Sequence, residues 1–203
     1  LPAGRYRITG EAGAVCAVFA SDRADLAGRP VLHAQAYAQP DPRIAASGPS
    51  LGGYYAARAG AMEPRLAACI SHGAIWDIHA RWKARDDSHG LAGHMTWVFG
   101  AKNMAEATEI AKPFTLDGVL EHMKCPYLII HGGHDVLGVE AVRTVYDYAV
   151  RHGVQATLRL TTEEETGAEH CQHDNPTLGQ ELMLDWLADV FDINQASLAF
   201  TPG

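Results

Sequence analysis

The chain has 203 residues, a hydrophobic content of 47% and a formal net charge of −8. That length holds one domain, or one domain with a lid, and the acidic balance disfavours nucleic acid and anionic membranes as partners. No run approaches the ~20 apolar residues of a membrane span and the first residues lack a secretory signal pattern, so a cytoplasmic protein is expected.

In chain order, the first strand signal is Ala14-Val15-Cys16-Ala17-Val18-Phe19-Ala20, followed by a helical or extended piece over 30–38. Further strands are predicted over 43–47, 66–72, 126–131 and 155–160, and helices over 52–62, 139–152 and 177–191. Short apolar strands alternating with helices imply a parallel sheet covered on both faces. Residues 74–122 break the alternation. They hold Trp76, Trp82, Trp97, Phe99, Phe114, His79, His89, His94 and Met95, with helical patterning over 103–111, and read as a helical lid. The core is accordingly assigned to 1–73 and 123–192. On the last helix Leu182, Leu184, Leu187, Val190 and Phe191 form an apolar stripe opposite Glu181, Asp185 and Asp189, which reads as core packing. The tail, 193–203, reads as frayed.

Gly48-Pro49-Ser50-Leu51-Gly52 stands between the predicted strand over 43–47 and the predicted helix over 52–62. Strand, Gly-flanked turn and helix are the setting in which G-x-S-x-G raises a serine on a nucleophile elbow. A Cβ at Gly48 or Gly52 is expected to clash with the neighbouring strand or helix. Ser50 is then the candidate nucleophile, with the amide of Leu51 aimed where an oxyanion forms. A serine needs a base, and the base an orienting acid. Asp135 follows the apolar strand Tyr127-Leu128-Ile129-Ile130, at the sheet edge where such folds hold their sites, so it is the candidate acid. His170 lies in the polar loop between the last strand and the last helix and is the candidate base, with His173 competing for the role. The order Ser, Asp, His is that of the α/β-hydrolase arrangement.

The four cysteines, Cys16, Cys69, Cys125 and Cys171, are widely spaced and form no C-x-x-C, which reads as thiols in a reducing compartment rather than a disulfide framework. There are 11 histidines. His131 with His134, and His170 with Cys171 and His173, have ligand-like spacings but no matching partner pair on a regular element. No metal and no cofactor are expected.

Three blocks carry a family resemblance. They are Ser50-Leu51-Gly52-Gly53-Tyr54-Tyr55-Ala56 with Glu63-Pro64-Arg65-Leu66-Ala67-Ala68-Cys69-Ile70-Ser71; Cys125-Pro126-Tyr127-Leu128-Ile129-Ile130-His131-Gly132-Gly133-His134-Asp135; and Gly167-Ala168-Glu169-His170-Cys171-Gln172-His173-Asp174-Asn175. Together they resemble the α/β-hydrolase branch that contains 2,6-dihydroxypseudooxynicotine hydrolase and the fungal heptaketide-shortening hydrolases of pigment biosynthesis. The likeness covers about residues 41–192. It implies an α/β fold of hydrolase type with a mostly parallel sheet, helices on both faces and a helical cap at the position of 74–122. It also implies Ser50 as nucleophile, Asp135 as acid and His170 as base. Several members cleave a carbon–carbon bond next to a ketone in an aromatic or polyketide substrate.

The chain departs from that pattern at its front. Such enzymes carry several strands before the elbow and a His-Gly type loop whose amide completes the oxyanion hole, whereas residues 1–47 contain no His-Gly dipeptide. Pro49 also removes a backbone donor and restricts Gly48. The expected function is a serine hydrolase acting on a carbon–carbon or ester bond of a small aromatic or polyketide-like molecule. A general carboxylesterase and a catalytically silent hydrolase-fold protein stay open beside it. The candidate substrate contacts are His72, Trp76, His79, Arg81, His94 and Trp97, with Arg81 suited to an anionic group and His72, His79 or His94 to protonating a leaving carbon. The expected partner is a small-molecule substrate, and a homodimer is compatible with the sequence.

Overall fold

The computed structural model describes residues 44–195. The predicted strand over 14–20, the piece over 30–38, Cys16 and residues 196–203 of the tail lie outside the described residues.

Among the described residues four strands, β1 (Ala45–Pro49), β2 (Ala68–His72), β3 (Tyr127–Gly132) and β4 (Ala156–Thr161), form one parallel sheet in the order β1-β2-β3-β4. The helices are α1 (Leu51–Met62), α2 (Ile78–Trp82), α3 (Ala92–Phe99), α4 (Met104–Ile110), α5 (Val139–Arg151) and α6 (Pro176–Val190). Every residue of β3 is buried, as a parallel strand with helices on both faces requires.

The period-2 alternation of the strands sorts their side chains between two cores. Cys69, Tyr127 and Ile129 face one layer, where they pack with Ala57 of α1 and with Val142, Val145 and Ala149 of α5. Ala68, Ile70, Leu128 and Ile130 face the other, where Leu187 of α6 covers them with Leu182, Met183, Trp186 and Val190. Burial of each such large side chain contributes about 1.5–3 kcal/mol. Leu184 is the exception to the predicted stripe of α6. It is 60% exposed, because the buried arc of this helix runs through Met183, Trp186 and Leu187.

Residues 74–122 carry the short helices α2, α3 and α4 and pack into the larger core. Ile78, Trp82, Ala92, Met95, Met104, Ala107, Leu116 and Leu120 are buried in the same cluster as α1 and β3. Asp77 caps α2 by accepting from the Ala80 amide at 2.7 Å, and Asn103 caps α4 by accepting from the Glu106 amide at 2.9 Å. An aromatic chain ties this segment to α1. Trp82 meets Phe99 edge-on at 4.9 Å, Phe99 meets Phe114 at 4.9 Å, and Phe114 lies 6.4 Å from Tyr54.

Candidate active site

The turn between β1 and α1 places Ser50 in a conformation that L-residues rarely adopt, with φ 53° and ψ −120°. The Ser50 amide donates to the His72 carbonyl at 2.8 Å, which ties the turn to the end of β2. Small residues make the turn sterically feasible. A Cβ on Gly48 would stand 2.1 Å from the Gly52 carbonyl oxygen, and one on Gly53 would stand 2.0 Å from that of Gly73. Gly52 differs from expectation, since a Cβ there would meet only the Pro49 Cδ at 3.2 Å. The close approach behind the serine is made at Gly53. Leu51 opens α1, so its amide is among the first N–H groups of the helix and has no intrahelical acceptor.

Asp135 follows β3 in a turn closed by its own amide on the Gly132 carbonyl at 3.1 Å. Its carboxylate Oδ1 accepts from the Leu137 amide at 2.8 Å. His170 starts a short 3-10 turn (His170–Gln172) after β4. Gly132 lets that segment come down onto β3, for a Cβ there would lie 2.1 Å from the Ala168 carbonyl oxygen. Asp174 holds the same segment from the other side by accepting from the amides of Ala168 at 3.0 Å and Glu169 at 3.1 Å.

These three elements bring Ser50, Asp135 and His170 together. The His170 Nδ1–H donates to Asp135 at 2.8 Å to Oδ1 and 2.9 Å to Oδ2, and its Nε2 lies 2.9 Å from Ser50 Oγ. The hydrogen bond to Asp135, then the one with Cys171, push the His170 pKa up to about 10 against the opposing effect of burial. Burial alone would raise Asp135, but the bonds from His170 and the Leu137 amide bring it below the usual carboxylate range. His173 does not share the Ser50 contact; its ring stands edge-on to His170 with centroids 6.0 Å apart.

The six candidate substrate contacts scatter. His72 is half-buried beside the site, where its Nε2–H donates to Gln172 Oε1. Trp76 packs on Tyr148 at 4.7 Å, so its ring belongs to the core. His79 Nδ1 is bonded to the Thr108 carbonyl at 2.9 Å, which joins α2 to α4. Arg81 donates to the Val136 carbonyl at 3.0 Å, in the loop just after Asp135. His94 and Trp97 are exposed on α3, Trp97 at 67%. The aromatic side chains of 74–122 are thus spent on packing or on solvent. Two surface clefts, of about 260 and 190 Å³, lie elsewhere and are lined by none of Ser50, Asp135 and His170.

Gln172 was not among the expected site residues. It is fully buried, holds His72 through its oxygen, and donates from Nε2 to Thr161 Oγ1 at 3.1 Å. Thr161 in turn donates to the Gly167 carbonyl. This chain of bonds pins the His170 segment to the ends of β2 and β4. Cys69, Cys125 and Cys171 are buried free thiols, and the Cys171 sulfur lies 3.7 Å from His170 Nε2. Among the described residues no three His, Cys, Asp or Glu side chains converge as a metal site, and no helix is long and apolar enough to cross a membrane.

The profile of the prolyl oligopeptidase family matches residues 25–194. The chain is 33% identical over 150 residues to 2,6-dihydropseudooxynicotine hydrolase of Paenarthrobacter nicotinovorans, an alignment covering 72% of this chain and 38% of that protein. It is 31% identical over 113 residues to hydrolase acrC of Aspergillus aculeatus, covering 41% of this chain and 26% of that one. A solved structure of 2,6-dihydroxy-pseudo-oxynicotine hydrolase superposes with a TM-score of 0.56 at 31% identity, over 72% of this chain and 40% of that chain. The chain therefore spans well under half the length of these relatives.

Proposed function

The chain belongs to the prolyl oligopeptidase family of α/β-hydrolases, and from that premise we propose that it acts through Ser50 as nucleophile, with His170 as base and Asp135 as its orienting acid. The observation that carries the reading is the unbroken line from Asp135 through His170 to Ser50 Oγ, with bonds of 2.8 and 2.9 Å. Asp135 is ionised and can only accept, so His170 carries its proton on Nδ1 and offers Nε2 to the serine when neutral.

In the proposed reaction His170 Nε2 takes the Ser50 proton as Oγ forms a bond to a carbonyl carbon. The Leu51 amide donates to the oxygen that becomes negative. Collapse of the adduct breaks the bond beside the carbonyl, and His170 returns its proton to the departing carbon or oxygen. Water, deprotonated by the same histidine, then releases the acyl group as an acid. The likeness to 2,6-dihydropseudooxynicotine hydrolase supports a ketone-bearing aromatic or polyketide-like substrate cleaved at carbon–carbon. Of the three histidines considered as proton donors to a leaving carbon, His72 is the one beside the site. Plain ester hydrolysis is the second reading. The packing of Trp76 and His79 and the exposure of His94 and Trp97 favour it, because they leave 74–122 without an enclosed aromatic pocket at Ser50.

Product analysis with β-diketones and acyl-naphthols beside simple esters separates the two. Carbon–carbon cleavage products are expected, and turnover of esters alone would leave the esterase reading standing. A pH profile tests the electrostatics. The base works only when neutral, so activity should rise with pH along a limb lying above the ordinary histidine range and be lost as pH falls through it. Asp135→Asn should lower kcat by about 10⁴ and move that limb down toward an ordinary histidine. An unmoved limb would mean that Asp135 does not set the basicity of His170.

A further inference from the structure

β3 is apolar from Tyr127 to Ile130, yet its next residue is His131, whose side chain is fully buried. Neither of its ring nitrogens has a hydrogen bond of ordinary geometry. Burying a polar ring in that state costs free energy that Leu or Ile would avoid. Packing alone is therefore served worse by histidine than by the residues that precede it in the strand. What the imidazole adds is a contact from Nδ1 to Asp135 Oδ2 at 3.4 Å, beside the backbone of Gly138.

The carboxylate shows why that contact matters. Oδ1 of Asp135 accepts from the His170 Nδ1–H and from the Leu137 amide, both at 2.8 Å. Oδ2 shares the same His170 N–H at 2.9 Å. Each carboxylate oxygen can accept about two bonds, and the Asp135 side chain is shut off from water. Among the described residues, His131 is the other polar side chain at Oδ2.

We propose that His131 is a positioning residue: with its proton on Nδ1 it holds Asp135 Oδ2 from the sheet side, so that the carboxylate keeps both oxygens on His170 Nδ1 and the ring of His170 stays aimed at Ser50. The proposal rests on the serine-hydrolase reading above. The groups facing His131 are Asp135 from the turn after its own strand, His170 from the segment after β4, His72 from the end of β2, and the Gly138 backbone. Burial pushes His131 below the usual histidine range, against the pull of Asp135. The ring is thus neutral near pH 7, with a single N–H to donate. The loop is short enough to hold the geometry, because the Gly138 amide donates to the Asp135 carbonyl at 2.8 Å and the His134 amide to the Ala168 carbonyl at 2.9 Å.

The test is the rate at which a fluorophosphonate labels Ser50, followed against pH on the full chain, for wild type and for His131→Leu, His131→Asn and His131→Gln. In His131→Leu the carboxylate is held less firmly, and its charge acts on His170 with less compensation. The plateau rate should fall roughly ten- to hundredfold, and the acid limb should move up by about half a pH unit to one unit. In His131→Asn the amide nitrogen can stand where Nδ1 stands, and both values should return close to wild type. In His131→Gln the donor reaches the Nε2 position instead, and they should not. Identical profiles for the Asn and Leu variants would overturn the proposal. So would a Leu variant that melts at a lower temperature with plateau and limb unchanged. If His131→Leu does not fold, the Asn and Gln variants decide: a difference between their limbs supports the role, and coincident limbs overturn it. Failure of wild type to label at Ser50 would defeat the serine-hydrolase reading and this proposal with it, a result distinct from unshifted variants of a labelled wild type.

Discussion

Ser50→Ala should lower turnover of an activated ester by about a millionfold, on the order of the loss seen when a serine nucleophile is removed elsewhere. Among the described residues, Ser71 does not stand ready to take its place. Ser71, the serine at the end of β2, is fully buried and bonded to the Gly53 carbonyl and Tyr127 hydroxyl, each at 2.7 Å. The fold should be indifferent to the change. Ser50 already sits at φ 53°, a strain that alanine shares, and its amide bond to the His72 carbonyl is untouched. The expected result is a silent protein with the wild-type melting temperature. Thermal melting and single-turnover kinetics on the same preparation check both halves.

The second large effect separates two histidines three residues apart. His170→Ala removes the group that bonds Ser50 and Asp135 at once, and kcat should fall by at least about 10⁴. His173→Ala removes a ring that only abuts His170 edge-on, so its cost should stay within about tenfold. The reason lies in the backbone. Cys171 and Gln172 both hold positive φ, 52° and 49°, and the turn they make sends His170 toward Ser50. Comparable losses in the two variants would mean that the edge-on contact is essential to the base. A larger loss at His173 would reverse the assignment.

Much of the frame was legible because burial imposes a period. The run Tyr127-Leu128-Ile129-Ile130 could be read as a buried parallel strand without knowledge of its neighbours, and it spans Tyr127–Gly132. The Gly-flanked serine was legible because the turn admits few residue types, although the tight approach falls at Gly53 as well as Gly48. Asp135 and His170 were picked out by topology, the one in the turn after β3 and the other in the loop between β4 and α6. The support behind them was not legible. Gln172, Thr161 and Asp174 lie in or beside a polar loop with no periodicity, and only coordinates show that Gln172 is buried while its neighbour His173 is not. The aromatic residues of 74–122 illustrate the same limit. Composition showed that they were many, but not that Trp82 points into the core and Trp97 away from it, since that depends on how α2 and α3 pack. Leu184 fell into a plausible helical stripe, yet the buried arc of α6 runs through Met183, Trp186 and Leu187 and leaves Leu184 outside it.

Mass-spectrometric mapping of a fluorophosphonate adduct on the full chain tests the central claim most directly, because the reagent needs a serine made nucleophilic by a base and no knowledge of the natural substrate. A single adduct on the peptide carrying Ser50, absent from His170→Ala, is the predicted result. An adduct on a different serine, or labelling of Ser50 that His170→Ala leaves at the wild-type rate, would contradict it.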